Sequence, residues 1–127
     1  MSKILLVEDN LVNRVLARDI LVFNGFTVVE AETGVDAIKR AKMDLPDLIL
    51  MDLHLPQMDG ITATKYIKED PDTSGIPVVA LTASAMKEDL EKVMSHGFDG
   101  YISKPIDIDS FVKTVKEIIS QRKDKTA

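Results

Sequence analysis

Asp47-Leu48-Ile49-Leu50-Met51-Asp52 is the stretch on which the fold turns. Four consecutive apolar side chains leave no polar face, so this is not a half-exposed strand. A short continuous run of this kind suits a strand buried on both sides, and such strands belong to parallel sheets covered by helices. Moving outward, similar runs stand at Ile4-Leu5-Leu6-Val7, Thr27-Val28-Val29, Val78-Val79-Ala80-Leu81 and Tyr101-Ile102.

Helical spacing fills the gaps between the runs. Val12, Val15, Leu16, Ile20 and Phe23 share one face, and Asn24-Gly25 supplies a stop. Val35, Ile38 and Ala41 mark a second helix that ends before Pro46, and Ile61, Thr64 and Ile67 a third. Met86, Leu90, Val93 and Met94 mark a fourth, closed by Gly97. Phe111, Val115, Ile118 and Ile119 mark a fifth, capped by Asp107. Phe23, Phe98, Phe111 and Met94 read as core or helix-face packing. From Gln121 the chain is polar and reads as frayed or as the start of a linker, which sets the domain at 1–121 and a polar tail at 122–127.

The alternation is (βα)₅, an α/β three-layer sandwich built on an open parallel five-stranded sheet. Right-handed crossovers leave few topologies, and one is the flavodoxin-like order 2-1-3-4-5. Composition narrows the function. With no cysteine, disulfides, thiolate chemistry and Cys-ligated zinc are excluded. A formal net charge of −5 argues against nucleic acid and against anionic membrane surfaces as partners. No apolar run approaches a bilayer span. Glu8 and Asp9 interrupt the N-terminal apolar run before a signal sequence can form, so the expected location is cytoplasmic.

In open α/β sheets ligands bind beyond the carboxyl ends of the strands. There the first run meets Glu8-Asp9 and the third ends in Asp52. If the two strands are neighbours, three carboxylates converge, and two unit charges about 4 Å apart repel by ~4 kcal/mol at an effective dielectric near 20. A cation resolves that conflict, and oxygen-only ligands select a hard ion, Mg²⁺ or Mn²⁺. Taken alone, Glu8-Asp9 reads equally well as acids favouring the next helix N-terminus. The fourth run ends at Thr82-Ala83, where a hydroxyl and an unobstructed N–H could hold phosphoryl oxygens. The fifth is followed by Lys104-Pro105, a point charge for phosphate beside a bond that readily adopts cis. Acid, acid, hydroxyl and amine thus close strands 1, 3, 4 and 5.

Over almost its whole length the sequence resembles the response-regulator receiver family, on Leu6-Val7-Glu8-Asp9-Asn10, Asp47–Asp52 with Leu55-Pro56-Gln57-Met58-Asp59-Gly60, Ala80-Leu81-Thr82-Ala83, and Tyr101-Ile102-Ser103-Lys104-Pro105. Within that family, Asn10–Asn13 and Thr82–Met86 are similar to stand-alone cell-division receivers and to receivers of hybrid kinases. The resemblance implies a CheY-like fold of strand order 2-1-3-4-5, with Asp52 as phosphoacceptor and a phosphohistidine of a sensor histidine kinase or histidine phosphotransfer protein as donor. It implies Mg²⁺ held by Asp9, Asp52, Glu8 through water, and the backbone carbonyl of His54. Thr82, the Ala83 N–H and Lys104 would hold the phosphoryl group, Thr82 and Tyr101 would switch, and Lys104–Pro105 would be cis. Output would be a protein contact on the face of the fourth helix, fifth strand and fifth helix. His54 and Ser84 would flank the acyl phosphate and tune its access to water.

Two rivals use similar parts. An aspartyl phosphatase of the haloacid-dehalogenase type needs a second acid two residues after the nucleophile, where this chain has His54. A flavin site needs a donor-rich phosphate loop after the first strand, where Glu8-Asp9 would repel an anion. His96, just before Gly97, reads as a helix C-terminal residue.

Overall fold

The computed structural model describes residues 2–83 and 86–126, with side chains through Arg122. Ser84 and Ala85 lie outside the described residues. In chain order the elements are β1 (Lys3–Val7), α1 (Leu11–Phe23), β2 (Thr27–Ala31), α2 (Gly34–Asp44), β3 (Leu48–Asp52), α3 (Gly60–Glu69), β4 (Val78–Thr82), α4 (Lys87–Ser95), β5 (Gly100–Ser103) and α5 (Ile108–Thr126). The strands form one parallel sheet of order β2-β1-β3-β4-β5, as the (βα)₅ reading requires.

Because side chains alternate across a strand, each continuous apolar run divides into two cores. Leu5, Val7, Ile49, Met51, Val78 and Ala80 face one layer, packing with residues of α2, α3 and α4 such as Ala37, Ala63 and Val93. Ile4, Leu6, Leu48, Leu50, Val79 and Leu81 face the other, with Ala17, Leu21, Phe111 and Val115 of α1 and α5. Every residue of β3 and β4 is buried. The edge strand β2 is only partly covered. This central burial holds the ends of β1, β3 and β4 in fixed relation, which is what a site built there needs.

The faces of α3 and α5 match the sequence reading, with Thr64, Ile67, Phe111, Val115 and Ile119 buried, while α1, α2 and α4 differ from it in a consistent way. In α1 the buried residues are Ala17, Ile20 and Leu21, while Val12 and Leu16 are exposed and Phe23 is 91% exposed. In α2 they are Gly34, Ala37 and Ala41, with Val35 outside. In α4 only Val93 is buried, and Met86 and Met94 are exposed. Small residues let a helix lie close on a sheet, so alanines mark the inner face and larger apolar residues on the neighbouring rows remain outside. Phe98 and Phe111 are core residues; Phe23 and Met94 are not.

Caps follow local chemistry. Asn10, Thr33, Asp59 and Asp107 accept backbone N–H bonds from Asn13, Asp36, Thr62 and Ser110 at 3.0, 3.0, 2.7 and 3.1 Å. The helix α5 continues through Thr126, so the stretch read as a frayed tail from Gln121 is helical there. Arg122 ties it to the body, donating to the carbonyls of Pro46 and Asp47 at 3.3 and 3.0 Å. Among the described residues no helix is long and apolar enough to cross a membrane.

Candidate functional site

Parallel pairing of β1 with β3 runs to Val7↔Met51, so the next residues, Glu8 and Asp52, emerge side by side. The Glu8 N–H donates to Ala31 O at 3.0 Å, extending the β1–β2 ladder one residue past the strand. Glu8 is therefore fixed and buried, at 1% exposure, and Asp52 is 4% exposed. Asp9, at the start of the turn into α1, is exposed. One carboxylate oxygen from each of the three lies within 4.8 Å of the others.

On the far side of β3 and β4, β5 delivers Lys104. Its N–H donates to Thr82 O at 2.8 Å, and the Lys104–Pro105 peptide is cis. The ammonium donates to Glu8 Oε1 at 2.8 Å and to Asp52 Oδ2 at 3.1 Å. The other Asp52 oxygen, Oδ1, accepts the His54 N–H at 3.0 Å. Glu8 Oε2 is buried with no hydrogen-bond partner.

Burial pushes the Glu8 carboxyl up to about 7; Asp52 adds to the rise and Lys104 opposes it. Burial also works against charge on Asp52, but the bonds from Glu8, the His54 N–H and Lys104 outweigh it and hold Asp52 below its ordinary value. Lys104 is raised in spite of its burial, because both acids favour its charged form. Of the two acids, Asp52 therefore holds its negative charge the more strongly.

Thr82 is buried at the end of β4, one register position beyond the Asp52↔Leu81 pair, and Ala83 follows it in the open. Tyr101 stands apart from the acids. It is 41% exposed and lines a groove of about 470 Å³ with Lys87, Leu90, Glu91 and Met94. The His54 side chain is exposed, and its contribution at the site is the backbone. His96 is the C-cap of α4, outside the site. Ser84 lies outside the described residues.

Two contacts lay outside the sequence reading. Arg14 Nη1 donates to the Glu8 carbonyl at 2.9 Å. At Gly60 a Cβ would collide with the backbone carbonyl of Asp52, so the β3–α3 loop closes on its own start only with glycine there. The Asp59-Gly60 pair at a helix start hinted at the second; nothing local hinted at the first.

The donor set suits a hard divalent ion. It is all oxygen, clustered and acidic, and Glu8 Oε2 is a buried acceptor lacking a donor. The comparisons agree. A family model, the response regulator receiver domain, matches residues 4–116, and the chain belongs to that family. It is 40% identical over 118 residues to the polar-differentiation response regulator DivK of Brucella ovis, covering 93% of this chain and 96% of that protein. The receiver domain of a sensor histidine kinase from Pseudomonas aeruginosa, solved with a magnesium ion coordinated in its active-site cleft, superposes with a TM-score of 0.87 at 34% identity, covering 94% of this chain and 98% of that one. The chemotaxis response regulator CheY4 of Vibrio cholerae superposes at 0.88 with 25% identity, over 93% of this chain and 98% of that one. The family is one of signalling domains, not of classical enzymes.

Proposed function

We propose that the chain is a two-component phosphoacceptor in which Asp52 takes a phosphoryl group from a phosphohistidine of a sensor histidine kinase or histidine phosphotransfer protein. The observation that carries this reading is the Glu8–Asp9–Asp52 cluster bridged by Lys104. An Asp52 carboxylate oxygen forms a bond to phosphorus as the phosphorus–nitrogen bond to imidazole breaks, leaving an acyl phosphate. No general base is required, because Asp52 is held ionised at neutral pH. Glu8, Asp9, Asp52 and the His54 carbonyl would hold Mg²⁺ or Mn²⁺, which when bound supplies neutralising charge for the phosphoryl oxygens. Lys104 pairs with the transferred group, and Thr82 and the Ala83 N–H complete the cradle. Water later hydrolyses the acyl phosphate, reaching it past the exposed His54 side chain.

The output is a protein contact in the cytoplasm, on the face of α4, β5 and α5. The groove beside Tyr101 supports this surface, and the acidic net charge supports a protein partner over nucleic acid or membrane. Thr82 and Tyr101 act as the moving parts of a two-state equilibrium. The test is incubation with a small acyl phosphate and Mg²⁺, read by intact mass. The wild type should gain one phosphoryl mass on Asp52, Lys104→Ala should gain it many-fold more slowly, and Asp52→Asn should gain none. Normal labelling of the Asn variant overturns the assignment.

A further inference from the structure

We infer that Arg14 is a positioning residue for the acidic pair: its guanidinium sets the Glu8–Asp9 peptide and thereby places the Asp9 carboxylate for a divalent cation. The inference rests on the reading of Glu8, Asp9 and Asp52 as a Mg²⁺ site and adds a residue to its support.

Asp9 needs such support. Glu8 is packed and paired, and Asp52 is bonded through both oxygens, but the Asp9 carboxylate accepts no hydrogen bond among the described residues. Its position follows from its backbone. The peptide that carries it has its carbonyl, Glu8 O, held by Arg14 Nη1 at 2.9 Å. The same guanidinium is fixed from the other side. Its Nε meets Glu30 at 3.3 Å and its Nη1 meets Glu32 at 3.0 Å, and the side chain is only 12% exposed. Glu30 closes β2 with Ala31, and Glu32 follows directly. One planar fork therefore joins α1, the end of β2 and the turn after β1, with donors on separate nitrogens, whereas an ammonium carries its three N–H groups on a single atom. Glu30 and Glu32 also offset the positive charge that would otherwise stand beside a cation site.

Charge and position predict opposite signs here, which makes the inference testable. Deleting a nearby positive charge should tighten Mg²⁺ binding by Coulomb attraction alone. Losing the support of a ligand should weaken it, by about tenfold for an outer-shell partner. The experiment is calorimetric Mg²⁺ titration of the full chain as wild type, Arg14→Met, Arg14→Lys and Arg18→Met, with thermal unfolding in chelator recorded alongside. Arg18 lies one turn further along α1 and pairs with Glu30 at 3.5 Å without touching Glu8, so it controls for charge. Arg14→Met should raise the Kd about tenfold, Arg14→Lys should recover part of that loss, and Arg18→Met should leave it unchanged or lower it. An unchanged or lower Kd in Arg14→Met overturns the inference, as does equal weakening in Arg18→Met. If Arg14→Met does not fold, a wild-type Kd in Arg14→Lys overturns it instead. Failure of the wild type to bind Mg²⁺ removes the metal reading itself, a separate outcome.

Discussion

Glu8 is the residue whose chemistry depends most on its surroundings. Its carboxyl sits at about 7 because it is buried and because Asp52 shares its space. A folded value raised above the ordinary 4.5 means that the fold favours the protonated form. Stability from this group is complete below 4.5 and lost as pH rises through about 7. Asp52→Asn removes the charge of Asp52 while keeping an acceptor oxygen, so Glu8 should titrate lower in that variant. Carbon-detected NMR of the Glu8 carboxyl in ion-free protein checks this; a midpoint still near 7 would mean that the Asp52 charge contributes nothing to the rise. At this scale the acids were legible because each interrupts an apolar run abruptly. Arg14 was not, since its partners at Glu8, Glu30 and Glu32 follow no local period and meet only once β1 and β2 pair.

Among the elements, α3 shows how a single carboxylate sets a helix start. Asp59 accepts the Thr62 N–H at 2.7 Å, and that bond holds its carboxyl below the usual range. A depressed folded value contributes stability above the unfolded value, lost as pH falls through the folded one. Asp59→Ala should cost about 1 kcal/mol in denaturant unfolding at neutral pH. Asp59→Asn, which keeps an acceptor without the charge, should cost less and should flatten the acid limb of the stability profile. An equally steep limb in the Asn variant would assign the acid loss to other carboxylates. Strand positions and types could be read from continuous apolar runs, because a doubly covered sheet demands them. Helix faces could be read for α3 and α5, and only in part for α1, α2 and α4. Hydrophobicity alone does not reveal that Ala17 and Ala37 lie on the sheet while Phe23 faces water, since close approach favours small side chains over large ones.

For the whole molecule, the chain order of elements together with handedness restricted the topology to a few, and the switch point between β1 and β3 named where ligands should gather. What lay beyond sequence reasoning was the closure at the opposite end. There Arg122, on the continuation of α5, bonds the carbonyls of Pro46 and Asp47 just before β3 begins. Arg122→Ala should lower stability by about 1 kcal/mol, measured by urea unfolding, and leave Mg²⁺ affinity unchanged, because Asp52 closes the other end of that strand. A loss of Mg²⁺ affinity would mean that the two ends are coupled.

Lys104 has a consequence for how the protein is made. It reaches Glu8 across 96 positions of sequence and Asp52 across 52. Translation releases the acids first and their counter-charge only with the last strand. Until β5 pairs with β4, the folded strands bring Glu8 and Asp52 together without Lys104, and acceptance of that strand completes the site. Competence therefore arrives in one step, when β5 joins the sheet, and a fragment that stops short of Lys104 would lack the cation that the fold itself supplies to Glu8 and Asp52.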